Sequence, residues 1–366
     1  MVNPRSLFLG AVTGIFAARA ATLALNAAMM PRLRPSRNAV PTASILVPAR
    51  DEAAVLPDLL RALAGQGAHE VIVFDDGDNG DGLAGAAELR VRVISSERPE
   101  GWIGKNWACW ELAQAATGDV LVFTDADTRW EPGTLAAILA TRGRLDADLL
   151  SVLPHLRELT PSAQLLTPLV ENIVLTMAPW PLLSWDRLQM GAASGALIAI
   201  SREAYDATGG HRAISGRILE DVALARLVQA TSIGGRRGRS RLVLGGPLLG
   251  AVIYRGYRES VHGFGKSVVA VHGGSRAATA ASVAAFTATH TLPWLLPGSR
   301  WVWALRVAGL LDRSLVALVA GRRRPADLVE GALGPVTPVV GLPALAVGMR
   351  RRLRWKGRDY PLSSAR

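Results

Sequence analysis

The segment VLVFTDAD (120–127) ends a short apolar run in two carboxylates one residue apart, Asp125 and Asp127. Such a run reads as a buried strand, and ligands of open α/β sheets bind at the carboxyl ends of parallel strands. Alternate residues of an extended chain share a side, so both carboxylates can reach one divalent cation. Mg2+ and Mn2+ favour these hard oxygens and commonly bind through one or two carboxylates plus substrate phosphates. A solvated turn capped by Asp has the same local sequence, and the position after the apolar run is what favours the metal.

A second acidic turn, FDDGDNGDG (74–82), also follows a strand-like run. Its glycines at 77, 80 and 82 do not have the spacing of a dinucleotide fingerprint. Asp75 or Asp76 can accept hydrogen bonds from a base or ribose, and the crowded carboxylates need a donor or cation to relieve them. Phosphate chemistry needs positive charge as well. Lys105, in GWIGKNWA (101–108), stands at a predicted helix start, and it is one of only three Lys beside 38 Arg. An ammonium there is a compact point charge at an anion-favouring helix end. Gly265-Lys266-Ser267 is not a P-loop, because Ser260 stands where the motif needs Gly.

Glu220 and Asp221 open the helical run RILEDVALARLVQA (217–230). Acids in a first turn can simply favour the helix dipole, or one can serve as general base for a hydroxyl. In YRGYRESVHGFGK (254–266), Arg255 and Arg258 can clamp a diphosphate. The six His form no HExxH pair and there is no GxSxG, which removes the support for zinc and serine hydrolysis. A single cysteine, Cys109, excludes a disulfide framework.

These residues need a scaffold, and the texture from Ser44 supplies one. SILVPA (44–49), VIVF (71–74), VRVI (91–94) and VLVFTD (120–125) predict strands, with helices over 55–65 and 106–116. SGALIAIS (194–201), RLVLGG (241–246) and LLGAVIY (248–254) predict further strands, and 202–208 and 219–229 further helices. That alternation predicts a mostly parallel α/β sheet.

The ends differ. Residues 1–40 and 299–366 contribute +5 and +9 to a net charge of +11, leaving −3 for residues 41–298. Basic residues flanking apolar stretches suit anionic lipid headgroups, and the net negative charge of the middle argues against nucleic acid. Residues 6–30 are long enough to span a bilayer, with Arg19 the only charge. Their basic cluster (Arg32, Arg34, Arg37) follows the apolar run, the reverse of a signal peptide, so a retained anchor with a cytoplasmic domain after it is expected. An interfacial helix is the alternative. Residues 277–297, 301–320 and 326–349 are near spanning length, the last interrupted by three prolines and so better suited to a re-entrant or interfacial course. The expected domains are an anchor (1–40), a catalytic domain (41–270) and a membrane-associated tail (271–366).

Taken in order, SILVPARDE (44–52), VFDDGDNGDG (73–82), GWIGKNWA (101–108), FTDADT (123–128), SGALIAISREAYDATGGH (194–211) and LEDVALA (219–225) resemble the family 2 glycosyltransferases of GT-A fold. The resemblance covers about residues 43–270. It implies that Pro48, Ala49, Arg50, Asp51 or Glu52, and Asp75 or Asp76 hold the nucleotide. It implies that Asp125 and Asp127 bind Mg2+ or Mn2+ and the donor diphosphate, and that Asp221, beside Glu220, is the base. The first acidic turn is one residue longer than the family's usual DDGSTDGT. YRGYRE stands where processive members carry Gln-x-x-Arg-Trp, which implies single-sugar transfer. GWxGKxxA, the flanking apolar segments and WKGRDY (355–360) look most like bacterial enzymes that glycosylate carotenoid or other polyisoprenoid lipids. The implied reaction is inverting, metal-dependent transfer from a nucleotide-sugar, UDP-hexose by resemblance, to a hydroxyl or carboxyl of a lipid at the cell membrane. A nucleotidyltransferase of related fold and a non-catalytic membrane scaffold are the competing readings.

Overall fold

The computed structural model describes residues 3–36, 41–77, 79–350, 352–355 and 358–361; Arg37, Asp78, Arg351 and Lys356 lie outside these. The chain forms two compact units. One comprises Met30–Arg157 and Trp180–Ile253; the other comprises Met1–Met29, Glu158–Pro179 and Tyr254–Arg366. The divisions fall at 29/30 and 253/254, where the sequence suggested 40 and 270, and residues 158–179 leave the first unit for the second.

The first unit is built on seven strands: β1 (Ala43–Ala49), β2 (Glu70–Asp75), β3 (Val91–Ile94), β4 (Val120–Thr124), β5 (Leu149–Leu153), β6 (Leu197–Ser201) and β7 (Ser240–Leu244). Their order across the sheet is β7-β5-β6-β4-β1-β2-β3. All neighbours are parallel except β6, which is antiparallel to both β4 and β5. Along β1, Ile45, Val47 and Ala49 meet one apolar cluster and Leu46 meets the other, as the two-residue strand period requires. Helices Leu56–Ala64 and Thr134–Arg144 cover the first face; Gly104–Ala115 and Glu220–Ala230 cover the second. A sheet covered on both faces needs continuous apolar runs, which is what makes most of these strands legible in the sequence.

Two features depart from the expected elements. The run predicted as a strand over 120–125 stops at Thr124, and Ala126 and Asp127 lie in a turn closed by the Thr128 N–H donating to the Asp125 carbonyl (3.3 Å). The 248–254 run shortens to Leu249–Ala251, which joins Thr128–Trp130 and His155–Leu156 in a separate three-stranded sheet.

The second unit is helical, with Pro4–Met29, Leu169–Met177, Tyr257–Val271, Arg276–His290 and Arg300–Ala320 its main elements. Among the described residues, Pro4–Met29 is the one unbroken helix long and apolar enough to cross a membrane. Pro325–Leu333 and Thr337–Gly348 pass together but are bent by 86°, the geometry of a broken span or re-entrant loop. The stretch 277–297 does not form one helix, since Arg276–His290 ends after 15 residues. In Arg300–Ala320 the usual polarity is inverted. Asp312 and Arg313 are buried, whereas Trp301, Trp303, Leu311 and Leu315 are exposed. The buried charges are partnered: Arg19 donates to both Asp312 oxygens (3.1 and 2.8 Å), and Arg313 to Thr337 Oγ1 (2.6 Å).

Candidate active site

Topology brings the chemistry to one edge of the sheet. β2 and β4 flank β1 in parallel, so the loops after all three emerge side by side. β6 runs the other way, and its start therefore meets the end of β4: Thr124 pairs with Leu197, and the Asp125 N–H donates to the Ala196 carbonyl (3.1 Å). That antiparallel strand carries Gly195 to the carboxyl edge.

The loops after β1 and β2 are fastened together. The Asp76 N–H donates to the Ala49 carbonyl (2.9 Å), and Arg50 Nη1 to the Asp76 carbonyl (2.6 Å). Asn79, fully buried, donates to Asp75 Oδ1 (2.6 Å) and to the Ala49 carbonyl (3.2 Å), and accepts from the Glu52 N–H (2.7 Å). The acidic turn is relieved by these donors, with Arg50 also 3.7 Å from the Asp76 carboxylate. Pro48 and Ala49 are the last residues of β1, directly beneath this loop pair. Gly82 must be glycine, because a Cβ there would stand 2.6 Å from the Ala53 backbone.

Beside it lies a charged cluster. Lys105, in the first turn of Gly104–Ala115, places Nζ 2.7 Å from Asp125 Oδ1 and 2.8 Å from Glu220 Oε1. Glu220 and Asp221 begin Glu220–Ala230, where the Val222 N–H donates to Asp221 Oδ1 (2.8 Å). The segment leading to them is held by Asn106, whose Nδ2 donates to the carbonyls of Ile214, Ser215 and Arg217 at 2.8, 2.9 and 3.1 Å. Gly195 closes the cluster from the side: a Cβ there would stand 2.9 Å from Lys105 Nζ and 3.2 Å from Glu220 Oε1.

Burial pushes the Asp221 carboxyl up to about 7, and the neighbouring Glu220 charge adds to this; Lys105 and the backbone N–H groups of Val222 and Gly195 act against it. Burial alone would weaken the Lys105 ammonium, but Asp125 and Glu220 hold it well above the ordinary lysine value. Cys109, one helical turn beyond Lys105, is buried and its thiol is pushed up by desolvation, so it is a packing group rather than a nucleophile. The cluster thus offers a permanent cation and a carboxylate able to gain or lose a proton near neutrality, with Asp127 two residues beyond Asp125 in the following turn. Among the described residues no three His, Cys or carboxylate side chains converge on one point. A divalent ion held here would draw on Asp125 and Asp127 and complete its shell with substrate phosphate and water, as Mg2+ commonly does.

Of the residues named from the sequence, Asp125, Glu220, Asp221 and Lys105 come together, and Pro48, Ala49, Arg50, Glu52, Asp75 and Asp76 form the adjoining loop pair. Arg255 and Arg258 belong to the helical unit, where the Arg255 N–H donates to Glu259 Oε2 (2.8 Å). Asn79, Asn106 and Gly195 are additions from the structure.

The fold is a mixed α/β domain of GT-A type. Residues 44–163 match the profile described as Glycosyl transferase family 2. It is 29% identical over 192 residues to the 4,4'-diaponeurosporenoate glycosyltransferase of Staphylococcus haemolyticus, which is 51% of each chain. The enzyme of the same name from Staphylococcus aureus strain MRSA252 is 26% identical over 201 residues. The chain spans about half the length of these curated relatives. A mannosyltransferase from Pyrobaculum calidifontis, solved with GDP-Man and Mn2+, superposes with a TM-score of 0.51 at 18% identity, covering 93% of this chain and 99% of the other.

Proposed function

We propose that this protein is an inverting, metal-dependent glycosyltransferase that moves one sugar from a nucleoside-diphosphate donor to a hydroxyl or carboxyl of a lipid acceptor. The observation that carries the reading is the Lys105–Asp125–Glu220–Asp221 cluster at the carboxyl edge of the sheet. The named carotenoid relatives support a polyisoprenoid or carotenoid acceptor. The archaeal mannosyltransferase, with its GDP-Man and Mn2+, supports a nucleotide-sugar and a divalent ion; UDP-hexose is the donor that the sequence resemblance favours.

In this reading the loop pair around Arg50, Glu52, Asp75 and Asp76 takes the nucleoside. Asp125 and Asp127 would hold a divalent ion, which would supply charge neutralisation for the leaving diphosphate. Lys105 adds a fixed positive charge beside it, and diphosphate oxygens compete for the ammonium that now serves Asp125 and Glu220. Asp221, the half-buried carboxylate whose ionisation falls near neutrality, takes the proton of the acceptor as its oxygen attacks the anomeric carbon. The exposed apolar faces of the helical unit support a membrane as the place where the acceptor is met.

The test is incubation of the full chain with UDP- and GDP-sugars and Mg2+ or Mn2+. Release of free nucleoside diphosphate is the expected result. Release of pyrophosphate would make the protein a nucleotidyltransferase, and turnover of neither donor would leave it a scaffold.

A further inference from the structure

The helical unit contains a cavity of about 340 Å3. Its wall is apolar over most of its area, with Ile15, Leu169, Ile173, Phe264, Val283 and Phe286 among the lining residues. The size and character are those of a small-molecule site rather than of a packing void. One part of the wall is polar. Arg19 and Asn172 line it together, and Arg19 spends Nε and Nη2 on Asp312 and Asn172. Its Nη1 makes no hydrogen bond among the described residues, so two charged N–H donors remain beside an apolar chamber. The placement is costly to maintain. Arg19 is the one charge between Ser6 and Met30, in a helix otherwise fit to cross a bilayer, and an ionisable residue in such a helix is as a rule functional.

We propose that this cavity binds a long-chain amphiphile, its hydrocarbon along the apolar wall and one oxygen of its polar end on Arg19 Nη1. Asp312 and Asn172 act as positioning residues by holding the guanidinium with that edge turned away from them. A chain bearing an acidic or hydroxyl end fits; a fully polar ligand leaves most of the wall unmatched, and a pure hydrocarbon leaves Nη1 unsatisfied. The occupant can arrive as a free lipid acid or alcohol, or as a lipid of the surrounding bilayer. The inference goes beyond the glycosyltransferase reading and does not depend on it.

The test uses the full chain in phosphatidylcholine nanodiscs with a fatty acid carrying a mid-chain diazirine, photolysed and mapped by peptide mass spectrometry. Saturable labelling of peptides within 166–177 and 264–289 is expected, competed by oleic acid if the occupant is a free amphiphile. If it is a bilayer lipid, labelling should instead fall when phosphatidylglycerol replaces the disc lipid. Ala285→Trp and Ser282→Phe, which fill the chamber, should abolish it. Arg19→Lys keeps a charge for Asp312 but removes Nη1, and should weaken the apparent affinity about tenfold. Non-saturable labelling spread over the exposed face of Arg300–Ala320 in the unaltered protein would overturn the proposal, as would saturable labelling that neither filling variant changes. Nucleoside diphosphate release is not read in this experiment, so a failed donor assay and a failed labelling assay point to different conclusions.

Discussion

A carboxylate that accepts a proton at neutral pH has to be partly withdrawn from water, and Asp221 shows both the withdrawal and its cost. Burial and Glu220 raise it to about 7, so transfer should climb as pH rises through that value and level off above it. Lys105 opposes the shift, and Lys105→Met should therefore move the rising limb to higher pH, read from the pH dependence of kcat/KM. Asp221→Asn should lower transfer by roughly 10²–10⁴ while nucleoside diphosphate still binds. The same raised value has a stability consequence. The folded protein holds this proton between the ordinary Asp range and about 7, where the unfolded chain does not, so its stabilising effect is complete below that range and is lost as pH rises through about 7. Asp221→Asn should accordingly melt higher than the unaltered protein at pH 8, and an unchanged or lower melting point would contradict the raised value. Gly195 carries a separate prediction. The nearest atom to a Cβ at that position is Lys105 Nζ, the mobile end of a flexible side chain. Gly195→Ala should hence fold normally yet displace the ammonium from Asp125 and Glu220, with turnover falling and the melting point nearly unchanged.

At the scale of elements, the site depends on loops that are tied together across long stretches of chain. Asn79 makes three hydrogen bonds, two of which join the turn after β2 to backbone of the β1 end and its loop 27 and 30 residues away, the third bracing Asp75 within the turn. Asn79→Ala removes all three; at about 1 kcal/mol each this costs roughly 3 kcal/mol, and it should raise the donor KM more than it lowers kcat. Thermal melting and donor titration check the two parts. The strands β1, β2 and β4 are legible because each is an apolar run buried on both faces, and β3, at the sheet edge, because VRVI is rich in β-branched residues. Asp125 and Lys105 could be noticed because charge beside such runs is conspicuous. β5 escaped notice: LLSVL sits among apolar residues that carry no period, and Thr134–Arg144 is diluted by small residues and Gly143. Asn79, Asn106 and Gly195 were silent for a different reason. The Asn106 partners lie 108 to 111 residues on, and nothing in a local window marks an amide whose acceptors are that distant. Gly195 matters through the antiparallel direction of β6, which apolar content alone does not specify.

At the scale of the whole molecule, charge and burial run in opposite senses in the two units. The α/β unit follows the rule for water, with its carboxylates at loop ends and its sheet enclosed. In the helical unit Arg322 is enclosed with Glu171, Asp327 and Glu330, at 2.8 to 3.0 Å, while Leu7, Trp301, Trp303, Leu311 and Leu315 face outward. Buried ion pairs under an apolar surface are what a lipid solvent selects, since intramembrane charges turn inward and pair. Water would exact little for changing such a surface: an exposed Leu→Lys on a soluble helix is usually within about 0.5 kcal/mol of neutral. In hydrocarbon the same change near a helix centre costs on the order of 3 kcal/mol. Leu311, 49% exposed near the middle of Arg300–Ala320, separates the two cases. Leu311→Lys should reduce the fraction of protein that resists alkaline carbonate extraction from membranes, whereas Arg300→Lys at the helix end should not. If Leu311→Lys partitions and melts like the unaltered chain, the outward apolar face lies in water.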